Sequence, residues 1–176
     1  MTSNSEKLEE RAAQTAARLS ELCIESGLRA AVAESLTGGK IAGQFAAAPD
    51  SGTWFAGGVV AYSSDVKHTL LEVPAGPVIS QQAVETMVRS VARIMGADVA
   101  VAASGSGGPE EQEGQEPGTT WIAVLVGDEV CSEIHHFDGE PIDILAQTED
   151  RALTLVTTTL EKHLHRGDDE DDSDNG

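Results

Sequence analysis

The sequence predicts a single α/β domain whose mixed, mostly parallel sheet has about five strands and is flanked by helices. Three observations lead to this fold class. The length of 176 residues suits one domain with a core of its own. Apolar, strand-like segments alternate with helical patterns over the first two-thirds of the chain. Two further strand-like runs are joined by Gly127-Asp128, a two-residue turn that favours an antiparallel hairpin.

The first element is predicted to be a helix with clear signals at both ends. Ser3 and Glu6 have the spacing of a capping box, apolar residues then recur at helical spacing, and Gly27 is placed to end the helix. The elements expected next are a buried strand at 28–33, a small-residue helix at 40–48, a loop at 49–52, a strand at 54–62 and a short helix at 65–71.

The second half of the chain begins with a strongly amphipathic helix. Ser80 is placed to cap it, apolar side chains line one of its faces, and Gly96 is placed to end it. The elements expected after it are a buried strand at 99–103, a polar glycine-bearing loop at 104–118, strands at 119–126 and 129–137, and a C-terminal helix at 142–164.

The charge of the chain excludes several classes of partner. There are 30 Asp and Glu against 11 Lys and Arg, which gives a formal net charge of −19. Nucleic acid would be repelled, because its binding needs clustered basic residues. No membrane association is expected either, since no apolar run approaches the roughly 18–20 residues that span a bilayer. An acid-rich, lysine-poor composition is typical of proteins from very salty cytoplasm, and a generally acidic proteome is the alternative.

The acidic residues are concentrated at the C-terminus. The segment 168–174 has six acidic residues and no apolar one, so it has nothing to bury and is expected to be disordered. We therefore divide the chain into a folded domain at 1–166 and an acidic tail at 167–176.

The cysteines and the N-terminus indicate a reduced, cytoplasmic protein. Cys23 and Cys131 are too few and too far apart for a disulfide framework or a metal site. Residues 1–7 lack the apolar segment of a signal peptide.

The first of three candidate loops follows the first predicted strand. In residues 35–39 a hydroxyl at a strand end is followed by two glycines that open a helix. This places Ser35 beside backbone N–H groups that can bind an anion or stabilise an oxyanion. The alternative is a helix cap with a tight turn.

The second loop follows the second predicted strand and contains Tyr62 and Lys67. A desolvated Lys67 would have a lowered pKa and could act as a base near neutral pH. A serine–lysine pair performs nucleophilic chemistry without histidine. The alternative is that Tyr62 packs at a strand edge and that Lys67 is a solvated charge.

The third loop follows the third predicted strand. Residues 104–109 are small and glycine-rich, so the backbone can approach a ligand closely and offer its amides to a phosphate or carboxylate. The segment is neither a Walker A sequence nor a dinucleotide fingerprint. Residues 110–113 contain three glutamates that would repel a phosphate, and a flexible loop is the alternative.

No metal or cofactor is expected. His135 and His136 are adjacent on a predicted strand, so their rings point to opposite faces and cannot share one ion. The other histidines provide no good candidate for a catalytic triad.

Taken together, these loops resemble the nicotinamide-nucleotide amidase family, which is the C-terminal domain of CinA-type proteins. The similarity extends over about residues 8–164. No single motif is specific to the family, but four motifs in the same order at matching spacing are. The matching stretches are residues 33–39, 58–67, 104–109 and 117–123.

The resemblance implies a metal-independent amidohydrolase that converts nicotinamide mononucleotide to nicotinate mononucleotide and ammonia. It implies that Ser35 is the nucleophile, that Lys67 accepts its proton, and that Tyr62 assists the transfer or orients the pair. It further implies a small-molecule nucleotide as partner and the homo-oligomeric assembly that family members often show. The substrate-binding residues it implies are Thr37, Gly38 and Gly39 for the oxyanion, and Ser104, Gly105, Ser106 and Gly107 for the nucleotide.

Several positions depart from the family pattern. Residues 110–112 are Glu-Glu-Gln where glycines are common, and residues 139–141 and Leu145 stand where the family carries arginines. Smaller departures are Leu36 in place of cysteine, and Ser104 and Ser106 in place of threonine and isoleucine. If the arginines of the family hold a phosphate, their absence here weakens the assignment of the substrate more than the assignment of the fold. A catalytically inactive nucleotide-binding or regulatory module with the same fold is therefore the alternative.

Overall fold

The computed structural model describes residues 3–173 of the chain, with side chains as far as Gly167. It contains six helices and five strands within that part of the chain. The helices are α1 (Asn4–Ser26), α2 (Lys40–Ala47), α3 (Ser51–Trp54), α4 (Ser64–Thr69), α5 (Gln81–Met95) and α6 (Pro141–Ser173). The strands are β1 (Ala30–Glu34), β2 (Phe55–Val60), β3 (Val99–Gly105), β4 (Thr119–Val126) and β5 (Glu129–His136).

The five strands form one mixed sheet in the order β2-β1-β3-β4-β5. Strand β1 pairs in parallel with both β2 and β3, whereas β4 is antiparallel to β3 and to β5. The predicted α/β fold with its terminal hairpin and C-terminal helix is confirmed. The β4–β5 turn lies at Gly127-Asp128, as the sequence predicted.

Helices cover both faces of the sheet. Residues of α1, α2 and α6 pack on one face, and residues of α5 pack on the other. Alternate residues of β1 therefore enter different cores: Val32 enters the first, and Ala31 and Ala33 enter the second. A central parallel strand covered on both faces is apolar along its length, which explains why residues 30–33 show no polar alternation.

The helix ends follow the local signals in the sequence. The Ser3 hydroxyl accepts a hydrogen bond from the Glu6 amide, the Glu6 carboxylate accepts one from the Ser3 amide, and the capping box is complete. Gly27 and Gly96 end α1 and α5 with φ angles of 70° and 61°. These left-handed conformations suit glycine because it lacks a Cβ.

In the first half the main difference from the prediction is at residues 51–54. Residues expected to be a loop and the start of a strand form the short helix α3, and β2 begins only at Phe55. The reason is aromatic packing: the buried Trp54 ring lies 5.4 Å from Phe45 and its indole N–H donates to the Pro49 carbonyl over 3.1 Å. Trp54, which was predicted to begin a strand, is thus the last residue of α3.

The C-terminal helix is longer than predicted. It continues to Ser173 rather than ending near Leu164, because aspartate and glutamate lower helix propensity only modestly and do not break a helix. Residues 174–176 of the predicted acidic tail lie outside the described residues, and the division at 166/167 stays a prediction. Nowhere in the described range is a helix both long and apolar enough to cross a bilayer.

Candidate active site

The three candidate loops meet at one edge of the sheet. Strands β2, β1 and β3 are parallel neighbours, so their carboxyl ends lie side by side. The Ser35 amide donates to the Ala103 carbonyl over 3.1 Å, and the Ala61 amide donates to the Glu34 carbonyl over 2.8 Å. The crevice at the carboxyl ends of such strands is where open α/β sheets bind ligands.

A small polar cleft of about 110 Å³ opens at this edge. It is smaller than the roughly 300–1,000 Å³ of common ligand pockets, so it can enclose only a small chemical group or one end of a larger ligand. The lining residues are Ser35, Leu36, Tyr62, Gly105, Gly107, Gly108, Glu110 and Gln112.

Ser35 lies in the wall of the cleft directly after β1. Ser35 is 6% exposed, and its hydroxyl makes no hydrogen bond to the described part of the chain. A serine that caps a helix would bond a nearby amide. The cap in the alternative reading is therefore wrong, since Gly39 is the N-cap of α2, whereas its tight turn is present as the hydrogen bond from the Gly38 amide to the Ser35 carbonyl. The Ser35 hydroxyl is available to a ligand.

Lys67 is buried and does not itself line the cleft. The Ser63 hydroxyl caps α4 by accepting from the Val66 amide over 3.3 Å, and this short helix directs Lys67 inward until it is only 1% exposed. Burial lowers the pKa of Lys67, because desolvation penalises the ammonium form, while the carboxylate of Glu113 opposes this shift. The alternative of a solvated lysine is wrong.

The contact that anchors Lys67 is to a backbone group. Its ammonium donates to the Tyr62 carbonyl over 3.3 Å, and this is the one hydrogen bond that the ammonium makes within the described residues. The ammonium makes no hydrogen bond to the Ser35 hydroxyl. The Tyr62 ring is exposed and lies on the rim of the cleft. The structure thus places Ser35 and Tyr62 in the lining of one cleft and connects Lys67 to Tyr62 through the backbone carbonyl, with no serine–lysine hydrogen bond.

Some backbone amides of the first loop, residues 35–39, donate hydrogen bonds within the chain, and others do not. The Gly38 amide donates to the Ser35 carbonyl and the Lys40 amide to the Thr37 carbonyl, each over 3.1 Å. The remaining amides, of Leu36, Thr37 and Gly39, have no acceptor within residues 3–173. Leu36 was not predicted as a site residue, yet its amide follows the candidate nucleophile directly, where an oxyanion donor is expected.

Glu34 is a second residue that sequence reasoning missed. It is fully buried, and its two carboxylate oxygens accept from the amides of Ile41 and Ala42 over 3.0 and 2.9 Å. The first turn of α2 is therefore already occupied by an anion and does not offer those amides to a phosphate. The sequence did contain a signal for this role: Glu34 ends an apolar strand and is followed by glycines that precede a helix.

The third loop contributes less of its length than predicted. Gly105 and Gly107 line the cleft, whereas Ser104 and Ser106 are buried and donate to the carbonyls of Val78 (2.6 Å) and Glu110 (3.4 Å). Thr37 is also buried, and its hydroxyl has no partner among the described residues. Gly38 is exposed, Gly39 is half-buried, and neither lines the cleft.

The electrostatics of the cleft are acidic. Its lining includes Glu110 and contains no lysine, arginine or histidine. The predicted repulsion of a phosphate by this segment therefore applies to the cleft itself. Nowhere in the described part of the chain do three or more His, Cys, Asp or Glu side chains converge as metal ligands would.

The fold and the site can be compared with known proteins. The "Nicotinamide-nucleotide amidohydrolase PncC" of Pseudomonas putida is 40% identical over 144 residues, which are 78% of this chain and 90% of the relative. The "CinA-like protein" of Geobacter metallireducens is 34% identical over 148 residues, which are 81% of this chain but only 34% of the relative. The chain thus spans about a third of such longer relatives.

Solved structures of the same superfamily share the fold. A CinA superfamily protein from Enterobacter cloacae superposes with a TM-score of 0.82 at 30% identity, over 85% of this chain and 92% of the other. One from Escherichia coli gives 0.80 at 28% identity, over 91% and 93%. The family model "CinA C-terminal domain" matches residues 12–160, and the chain therefore belongs to the CinA C-terminal domain family.

Proposed function

We propose that this protein is an amidohydrolase that converts nicotinamide mononucleotide to nicotinate mononucleotide and ammonia. The observation that carries the proposal is the buried Lys67, fastened to the Tyr62 carbonyl, at a cleft whose wall presents the unbonded hydroxyl of Ser35. The name of the Pseudomonas putida relative supports the same activity.

In the first step the Ser35 hydroxyl attacks the carboxamide carbon. Neutral Lys67 accepts the serine proton, either directly after a small side-chain movement or through one water. The carbonyl π bond becomes an oxyanion in a tetrahedral intermediate. The free amides of Leu36, Thr37 and Gly39 are the donors that would stabilise this charge.

In the second step the intermediate collapses and the carbon–nitrogen bond breaks. The Lys67 ammonium returns its proton to the leaving nitrogen, which departs as ammonia, and Ser35 is left as an ester. Water then attacks the ester while Lys67 accepts one of its protons, and Lys67 returns this proton to the Ser35 oxygen as the ester bond breaks. The nicotinic acid group that is released loses its remaining proton to solvent, where that proton can be taken up by ammonia. Each turnover therefore consumes one water and leaves Ser35 and neutral Lys67 as they began.

We expect different parts of the substrate to occupy different places, because the cleft is small. A cavity of about 110 Å³ encloses the carboxamide and part of the ring, while the ribose and phosphate extend along its rim. Gly105 and Gly107 line the cleft directly, and we keep Thr37, Gly38, Gly39, Ser104 and Ser106 as the predicted supporting residues. Homo-oligomeric assembly and a cytoplasmic location also stay predictions.

An ammonia-release assay with nicotinamide mononucleotide tests the function. We expect turnover by the wild type and loss of about three orders of magnitude or more in kcat for Ser35→Ala and Lys67→Met, because each removes a group that reacts in every turnover. Matched controls are Ser64→Ala and Lys162→Met, which change exposed residues of the same types. Turnover unaffected by Ser35→Ala would refute the mechanism.

One observation favours a second candidate, an inactive nucleotide-binding or regulatory module. The cleft contains Glu110 and no basic residue, which disfavours any phosphate-bearing ligand and so favours the regulatory form of this candidate. Calorimetry would show binding of the mononucleotide with no ammonia released if the nucleotide-binding form is correct, and neither binding nor ammonia if the regulatory form is correct. Running both assays at low and at molar salt separates electrostatic exclusion from inactivity, since salt screens the repulsion.

A further inference from the structure

A hairpin-like segment, residues 106–118, closes one side of the cleft, and we name it the cleft loop. Its base is fixed by two hydrogen bonds, from the Ser106 amide to the Thr119 carbonyl (2.9 Å) and from the Gly118 amide to the Ser106 carbonyl (2.7 Å). Its tip is closed by reciprocal backbone hydrogen bonds between Gln112 and Gln115, at 3.1 and 2.9 Å. The two residues between them, Glu113 and Gly114, form the turn.

The turn has an unusual residue in its first central position. Glu113 has a φ of 53° and Gly114 a φ of 72°. Two successive left-handed residues are typical of a turn that selects asparagine or glycine, and a glutamate rarely adopts this conformation. Such an outlier persists only where the surrounding structure fixes it, so the contacts of the Glu113 side chain become informative.

The Glu113 carboxylate is bonded to backbone of a different segment. One of its oxygens accepts from the Val78 and Ile79 amides, each over 3.0 Å, and the other lies 3.2 Å from the Val78 amide. These amides immediately precede Ser80, the N-cap of α5, so the carboxylate lies at the positive end of that helix. The Val78 carbonyl in turn accepts from the Ser104 hydroxyl at the end of β3.

The charge of Glu113 also favours the ammonium form of Lys67. The two side chains make no ion pair within 4.0 Å among the described residues, so this effect acts through space. On the helix that carries Lys67, Asp65 is exposed and the His68 ring nitrogen lies 2.8 Å from the Val73 carbonyl. The Lys67 ammonium itself donates to the Tyr62 carbonyl.

We propose that Glu113 is a positioning residue of this site, whose carboxylate fastens the tip of the cleft loop to the segment 78–79. The effect of its charge on Lys67 as a catalytic base rests on the proposed function. The fastening does not, because it concerns the shape of the free protein.

The charge of Glu113 has a definite consequence for Lys67. A nearby anion stabilises the ammonium form, so Glu113 keeps the pKa of Lys67 above the value that burial alone would set. Replacing it by a neutral residue should make Lys67 lose its proton at lower pH. A residue that only shaped the loop would not produce this shift.

Lysine NMR tests this without any turnover. The chain has four lysines, so selective carbon labelling gives few signals, and Lys67→Met identifies the one of interest. We expect Lys67 to titrate at lower pH in Glu113→Gln, which keeps the side-chain length, and in Glu113→Asn, which suits the left-handed turn. The matched control is Glu111→Gln, which removes an exposed charge from the same loop.

Amide hydrogen exchange tests the fastening separately. The amides of Val78 and Ile79 should exchange faster in Glu113→Asn, whose shorter side chain cannot reach them, than in wild type or Glu111→Gln. An unchanged Lys67 titration in both neutral variants would overturn the effect of the Glu113 charge on Lys67, and unchanged exchange would overturn the fastening. Absence of ammonia release together with a shifted titration would refute the proposed function alone.

Discussion

The ammonium group of Lys67 donates a hydrogen bond to the backbone carbonyl of Tyr62 over 3.3 Å, although Tyr62 as a residue is 71% exposed. The backbone and the side chain of this tyrosine therefore have different surroundings. Its backbone fixes the buried lysine, and the residue also lines the cleft. Because any residue supplies a carbonyl, the orienting role predicted for Tyr62 does not depend on the phenol.

We expect Tyr62→Phe to keep kcat for ammonia release within about tenfold of the wild type, because the carbonyl that holds Lys67 is unchanged. A phenol that transferred a proton in the rate-limiting step would contribute about 10²- to 10⁴-fold. Steady-state kinetics with nicotinamide mononucleotide decide between these outcomes. A loss of a hundredfold or more in kcat would assign the proton transfer to the hydroxyl.

Lys67→Met should inactivate the enzyme and yet stabilise the fold. Burial lowers the pKa of Lys67, so folding either desolvates a charge or releases its proton, and both cost free energy near neutral pH. An uncharged side chain of similar shape avoids this cost. We expect the midpoint of thermal unfolding to rise by roughly 2–4 °C, as for a gain of about 1 kcal/mol.

The sign of the pH dependence is fixed by the same shift. The unfolded chain binds more protons than the folded chain between the lowered pKa of Lys67 and its ordinary value, about 10.4. Wild-type stability from this group therefore rises with pH through that window, and the advantage of Lys67→Met shrinks there. Lys162→Met, at an exposed lysine, is the control that should change little at any pH.

The parts of the fold that depend on local chemistry could be predicted from the sequence. The Ser3 cap, the helix ends at Gly27 and Gly96, and the Gly127-Asp128 turn each need only neighbouring residues. The convergence of three loops was also predictable, since parallel neighbouring strands end at one edge of a sheet.

The interactions that prepare the site could not be predicted in this way. Glu34 binds amides seven and eight residues away, and Glu113 binds amides about 35 residues earlier in the chain. Whether a carboxylate is solvated or bound depends on which backbone folds against it, and composition says nothing about that. The burial of Lys67 could not be predicted for the same reason. Which face of α4 points inward depends on how that helix packs in the folded chain, and the residues of α4 alone do not determine this.

Removing the negative charge from the lining of the cleft should improve binding of a phosphate-bearing substrate. Glu110 lines the cleft, whereas its exposed neighbour Glu111 does not. We expect Glu110→Gln to lower KM for nicotinamide mononucleotide about two- to fivefold at low salt, with a smaller effect at molar salt where charges are screened. Glu111→Gln is the control, and equal effects of the two variants would show that only net charge matters.

The smallness of Gly105 is required by the sheet rather than by a ligand. A Cβ on this residue would lie 2.6 Å from the Thr119 carbonyl oxygen and 2.8 Å from the Thr120 hydroxyl. Backbone must therefore shift between β3 and β4, and Gly105→Ala should lower the free energy of unfolding by about 1–3 kcal/mol. Chemical denaturation measures this loss.

Gly107 provides the matched control two residues away. A Cβ there would meet only the Leu36 Cβ at 3.7 Å, which is an ordinary contact. Gly107→Ala should therefore unfold at nearly the wild-type denaturant concentration, although it too narrows the cleft. If both alanines destabilised the protein equally, the cause would be conformational restriction of the loop, and close packing of β3 on β4 would not explain the glycine at 105.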